Sequence, residues 1–278
     1  MNNDLYIPKY NSEFKKLITE VLSRAKITQK YIDILTQKKN MKLYTQAFTA
    51  SSANVEKNYE IFEQLGDITA NKFIVWYTYR RFPQLFCPDG VKVVARLRIN
   101  YGSKQTFFQI AEKLGFWKWI SASVEERSTK KKSLLEDVME SFCGVTEFIL
   151  DNETRQGVGN SIVYDILKNI FDNIDMSLKY EDLYDAKTII KQFFDNNKNM
   201  GTWKYTSERN DKLVNAILWA IPVGTQTDKR YWKILGKGTA SIKKDSEQRA
   251  AKNAIYNLKK SGVYTEPPES KFYKSFCN

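Results

Sequence analysis

The stretch NYEIFEQLGD, residues 58–67, carries three acids at intervals of three and four: Glu60, Glu63 and Asp67. At about 100° per residue those intervals put all three carboxylates within one arc of a helix, with Ile61, Phe62 and Leu65 supplying the apolar side. A solvated face is the ordinary origin of such a stripe, but two features point elsewhere. Gly66 lies inside the helix, where glycine costs about 1 kcal/mol relative to alanine, so something must approach the backbone closely. A second segment, EDVMESFCG, carries Asp137 and Glu140 at i, i+3 amid Leu134, Leu135, Val138 and Phe142. Acids on two helices facing each other across a groove would repel, and a divalent cation is the counter-charge that relieves them. All-oxygen ligands select Mg²⁺, with Mn²⁺ as the alternative, over zinc. Such an ion lowers the pKa of a bound water and orients it toward a phosphate. A second ion about 4 Å away would also stabilise the leaving oxygen.

Composition removes most competing chemistry. The 278-residue chain contains no histidine, which excludes Ser-His-Asp and Cys-His hydrolases, HExxH metalloproteases and histidine-ligated zinc deaminases. No GxxxxGK[ST] string occurs, so no nucleotide cofactor is expected. Cys87, Cys143 and Cys277 are far apart and form no CxxC pair, and reduced thiols are expected. No apolar run reaches the roughly 18 residues of a membrane span and the first residues lack a signal-peptide core, so a soluble intracellular protein without a membrane partner is expected. The net charge is +12, and it is uneven: between Asp185 and Gly262, 16 basic residues face 7 acidic ones. A C-terminal unit therefore carries most of the attraction for a polyanion.

The elements that must position these groups follow from periodicity. Helical spacing runs from Phe14 to about Ile120, resumes in SLLEDVMESFCGVTEFIL, and returns in SIVYDILKNIFDNI after the polar stretch DNETRQGVGN. Residues 1–175 are predicted to form an all-α domain and 176–184 a charged linker. Beyond it lie a helix in DAKTIIKQFFDNN, strands in WKYTSE, KLVNAILWAI and RYWKILG, and a helix in KKDSEQRAAKNAIYNLKKSG. Residues 185–263 are thus predicted to be an α+β domain of α-β-β-β-α order, and 264–278 a tail. The aromatics Trp76, Tyr77, Tyr79, Trp117 and Trp119 fit helical core spacing better than base stacking. The basic run STKKK, residues 128–132, reads equally as a phosphate contact or a solvated loop.

These motifs resemble the ribonuclease III family. NYEIFEQLGD is similar to the family's NERLEFLGD, with Glu60, Glu63, Leu65, Gly66 and Asp67 matching and Ile61 and Gln64 departing. AFTASSAN, residues 47–54, resembles ALTHRSYAN with Ala50 in place of the histidine, and EDVMESFCG resembles ADTFEALIG. Asp89, in PDGVKVVARLR, falls where the family usually has a Glu. The resemblance implies that Glu63, Asp67, Asp137 and Glu140 are catalytic carboxylates that bind the metal, and that Glu60 and Asp89 are accessory acids. It further implies a homodimer, with the signature helix near the two-fold interface, that makes staggered cuts in double-stranded RNA and leaves short 3′ overhangs.

The C-terminal pattern is similar to a double-stranded RNA-binding domain: DAKTIIKQFF matches DPKTLLQEL, and GKGTASIKKDSEQRAAKNAI matches GxGxSKKxAEQxAAxxAL with two extra residues. The resemblance places Lys243 and Lys244 at a phosphate beside a helix N-terminus, and Thr188 and Gln192 on an exposed helix side toward a minor groove. A solvated helix end is the bland origin of those lysines. The hairpin near ERNDK lacks the family's GPxH loop. The expected function is a Mg²⁺-dependent, double-stranded-RNA-specific endoribonuclease; the alternative is a non-catalytic or sequestering duplex-binding protein on a nuclease fold.

Overall fold

The computed structural model describes residues 4–277. They divide into two compact units, one ending at Met176 and the other beginning at Ser177.

The first unit is mostly helical: α1 (Ser12–Arg24), α2 (Gln29–Leu35), α3 (Lys38–Ala47), α4 (Glu60–Arg81), α5 (Gly90–Tyr101), α6 (Lys104–Lys113), α7 (Val124–Thr129), α8 (Lys131–Glu153) and α9 (Val158–Phe171). Two short antiparallel strands, β1 (Leu5–Tyr6) and β2 (Ala122–Ser123), pair at one edge. The centre is α8, whose residues from Val138 to Thr146 are all buried. A helix that is apolar nearly all round must be surrounded, and α3, α4, α6 and α9 pack on it.

The crossing of α4 and α8 is built on glycine. A Cβ at Gly66 would stand 1.8 Å from the Glu140 carbonyl oxygen, and one at Gly144 would stand 1.9 Å from the Phe62 carbonyl oxygen. Each helix thus meets the other backbone to backbone, which is the close approach that the interior glycine predicts. The aromatic expectation holds for Tyr77 and Trp119, which are buried, but not for Trp76, which is exposed beside the Arg80 guanidinium. The lysines of STKKK turn to neighbouring side chains: Lys130 to Glu126, Lys131 to Glu112 and Lys132 to Gln105.

The second unit contains α10 (Tyr180–Leu183), α11 (Ala186–Asn196), β3 (Thr202–Asn210), β4 (Leu213–Ile221), β5 (Lys233–Ala240), α12 (Lys243–Lys260) and α13 (Ser270–Ser275). The sheet is antiparallel in the order β3-β4-β5. Ala216, Leu218 and Ala220 of β4 face a core that includes Ile190, Phe193, Phe194, Ala250 and Ala254 from α11 and α12. The third strand runs from Lys233 to Ala240, so it starts later than the expected run RYWKILG and continues beyond its end, through Gly238. Gly236 and Gly238 are needed there because α12 lies against them: a Cβ at either would come within 2.3 Å of α12 backbone atoms.

Residues 176–184 and 264–278, expected as linker and tail, carry α10 and α13. Tyr180 stacks on Tyr184 and Tyr273 meets both edge-on, with a 2.6 Å hydroxyl–hydroxyl bond between Tyr184 and Tyr273. Scattered tyrosines in short segments show no periodicity, so this cluster had no signature in the pattern.

Candidate active site

The acids of interest stand on the first turns of α4 and the middle of α8. On α4, Glu60 is exposed, Glu63 half-buried and Asp67 exposed; on α8, Asp137 is half-buried and Glu140 is 7% exposed. Since the helices cross at Gly66 and Gly144, the residues one and four positions away are forced together.

Electrostatics shows the result. Burial, followed by the fields of Asp137 and Glu60, pushes the Glu63 carboxyl up to about 7 from 4.5. Burial, followed by Asp67 on the other helix and Glu136 on its own, pushes Glu140 up to about 8. Asp137 is also raised, chiefly by burial, against the lowering effect of a hydrogen bond from the Tyr59 hydroxyl at 2.9 Å. Glu63, Asp67, Asp137 and Glu140 thus share one cleft, and Glu60 joins them through its effect on Glu63. Asp89 is exposed at the N-terminus of α5 and is not among the charges acting most strongly on Glu63, Asp137 or Glu140.

Three further side chains belong to the cleft. Tyr59 is buried, and its hydroxyl proton is held above the ordinary tyrosine range, first by burial and then by Asp137. Glu136 is half-buried and forms an ion pair with Lys104 of α6. Burial works against the Lys104 charge, but Glu136, Asp137 and Glu140 raise its pKa. Glu136 had a signal, being one helical turn before Glu140. Lys104 and Tyr59 had none, since their partners lie far along the chain.

The donor set suits a hard divalent cation: carboxylate oxygens, no imidazole, and several acids around one ammonium. Burial and then neighbouring acids raise Glu63 and Glu140, and a bound cation would offset both. No three acidic or thiol side chains among the described residues are gathered tightly enough to ligate one ion as they stand. A stability prediction follows from the same shifts. Glu63 and Glu140 hold protons more tightly in the fold than in the unfolded chain, so the stability they contribute is full below pH 4.5 and is lost as pH rises through about 7 to 8. In excess chelator, the thermal midpoint of the wild type should fall more steeply between about pH 5 and 9 than that of the Glu63→Gln, Glu140→Gln double variant. Parallel curves would contradict the shared cleft.

In the second unit, Lys243 and Lys244 are exposed on the first turn of α12, with Lys243 3.9 Å from Glu247. Thr188 and Gln192 are half-buried rather than exposed. The Thr188 hydroxyl donates to the Asp185 carboxylate that caps α11, and the Gln192 amide oxygen accepts from the Tyr180 hydroxyl. The segment carrying α10, read from sequence as linker, is what covers Gln192.

Known proteins share this arrangement of sequence. The model of the Ribonuclease III domain matches residues 60–148, the span that holds all four core acids. A protein of Invertebrate iridescent virus 6, provisionally named ribonuclease 3, is 39% identical over 286 residues, covering 98% of this chain and 96% of its own length. Ribonuclease 3 of Limosilactobacillus fermentum is 30% identical over 229 residues, covering 79% of this chain and 91% of its own. Among solved structures, the nuclease domain of ribonuclease III from Campylobacter jejuni is 24% identical and covers 52% of this chain and 95% of its own, with a TM-score of 0.42. The near full-length identity to the viral relative and the domain match over the acidic cleft lead to one assignment: the chain belongs to the ribonuclease III family of endoribonucleases.

Proposed function

We propose that the chain hydrolyses phosphodiester bonds of double-stranded RNA with Glu63, Asp67, Asp137 and Glu140 as the catalytic, metal-holding carboxylates. The observation that carries this is the α4–α8 crossing, which brings acids from two helices into one cleft and raises Glu63 and Glu140 to about 7 and 8. Mg²⁺, or Mn²⁺ in its place, would supply the counter-charge, a more acidic water and stabilisation of the leaving oxygen. The protein's own part is orientation. Tyr59 donates to Asp137 Oδ2 and fixes that carboxylate, while Lys104 offsets Glu136 so that the four core acids need less external charge. Glu60 flanks the site as an accessory acid; Asp89 keeps that role only if RNA or a second protomer draws it in.

We read residues 1–175 as the nuclease domain and 185–263 as a double-stranded RNA-binding domain. Ile242, the residue just before α12, offers no side-chain cap, so Lys243 and Lys244 stand beside open backbone N–H groups suited to a phosphate. Thr188 and Gln192 lie on the face assigned to a minor groove, where reaching a 2′-hydroxyl means exchanging Asp185 or Tyr180. The β3–β4 hairpin joins Asn210 to Leu213 through two residues, too short to enter a groove, so duplex affinity should rest on α12. Pairing of two chains is supported by Ile61 and Ile68, 63% and 62% exposed on α4 one heptad apart with Leu65 between them.

The test is digestion of a long duplex with end mapping of both strands. The proposal expects Mg²⁺-dependent staggered cuts with short 3′ overhangs and no cutting of single strands. Binding without cutting at any divalent ion concentration would favour the sequestering alternative.

A further inference from the structure

We propose that the open face of the C-terminal sheet is a second RNA-binding surface, for single-stranded RNA, distinct from the helix side that carries Lys243 and Lys244. It goes beyond the duplex reading and does not depend on it.

Alternation along β4 sends Ala216, Leu218 and Ala220 to the helices, so Trp219 points to the other face. Cross-strand register puts Lys204 and Ile234 on either side of it. Trp232, just before β5, packs edge-on to Trp219 with centroids 6.2 Å apart. The Lys204 and Lys229 ammoniums stand 5.7 and 6.0 Å from the Trp232 ring centre. Ile234 is 47% exposed and Tyr231 57% exposed, so the patch continues apolar to its edge.

Three features select the occupant. Both indole N–H groups are engaged inside the protein, Trp219 with the Thr206 hydroxyl at 2.8 Å and Trp232 with the Thr225 carbonyl at 3.2 Å, which leaves ring faces rather than donors for a partner. Lys204 and Lys229 are exposed beside the Trp232 ring, whereas the nearby acid Asp228 is ion-paired with Arg230 at 2.7 Å. The patch is therefore complementary to an anion. A polyanion that also offers flat, unstacked rings is a single-stranded nucleic acid; a duplex keeps its bases stacked, and an acidic peptide meets the lysines but not the indoles. The neighbouring nuclease domain makes RNA the nucleic acid.

The experiment uses the full chain in chelator, which prevents hydrolysis, and labelled oligouridylate of about 12 nucleotides. Binding is followed by anisotropy and by quenching of tryptophan emission, with a long duplex and polyglutamate as comparison ligands. Trp232→Leu and Lys204→Glu should each weaken oligouridylate binding about tenfold while leaving duplex binding within about twofold; Lys243→Glu should do the reverse. Should Trp232→Leu lower the thermal midpoint, Lys204→Glu and Lys229→Glu on the folded protein decide. Failure of oligouridylate to bind, equal loss for duplex and single strand, or polyglutamate binding with the same sensitivity to Trp232→Leu would each overturn the proposal. The last outcome would make the patch a protein-docking surface.

Discussion

Replacing Glu140 with glutamine should slow cleavage of a defined RNA duplex on the order of a thousandfold while leaving the amount of duplex bound almost unchanged. Glutamine keeps the size of the side chain and removes its negative charge from the most buried acid of the cleft. A carboxylate that helps hold the divalent ion contributes several kcal/mol of charge stabilisation, and every 1.36 kcal/mol lost is about tenfold in rate. Binding should survive because the proposed duplex contacts, the lysines of α12, belong to the other unit. Single-turnover cleavage and a filter-binding titration in chelator measure the two halves. The substitution also removes the cost of burying that charge and its repulsion with Asp67, Glu136 and Glu63, so the folded chain should be more stable without metal than the wild type, not less. Cleavage within about threefold of wild type would remove Glu140 from the site, given the magnitude above.

The second large effect is structural. Gly66→Ala puts a methyl group where the Glu140 carbonyl oxygen would stand 1.8 Å away, and both partners are backbone. No rotamer relieves that contact, so α4 must lift from α8. The expected cost is about 3 kcal/mol, typical of overpacking that moves a helix. For a chain of this size that lowers the thermal midpoint by roughly 6–12 °C. Calorimetry measures it, and a midpoint within about 2 °C of wild type would show that the crossing tolerates a side chain. Cleavage should fall as well, because Asp67 follows Gly66 directly and loses its register with Glu140.

Much of this was legible before any coordinates. The 3,4 spacing of Glu60, Glu63 and Asp67, the interior Gly66 and the Asp137, Glu140 pair announce a helix–helix cleft, because helical periodicity turns spacing into direction. The crossing itself confirms why Gly66 is there and adds Gly144 as its counterpart. Local signals end where contacts are long-range. Lys104 reaches Glu136 from another helix, and Tyr59 reaches Asp137 across 78 residues. Nothing near either residue announces its partner. The expected strand RYWKILG stops at Gly236, but β5 continues through the glycines of GKGTA to Ala240. Here they extend β5 so that α12 can lie close, a tertiary demand that overrides local propensity. The expected exposure of Gln192 failed for the same reason: α10 folds back over it.

The central claim is that carboxylates from α4 and α8 grip one divalent site together. The most direct test is a titration with Mn²⁺, followed by the paramagnetic resonance of the free ion, on wild type, Glu63→Gln and Glu140→Gln at neutral pH. The account predicts that each substitution, one from each helix, weakens Mn²⁺ binding at least about tenfold and that the double variant loses it. Unchanged affinity in either single variant would contradict a site shared between the helices.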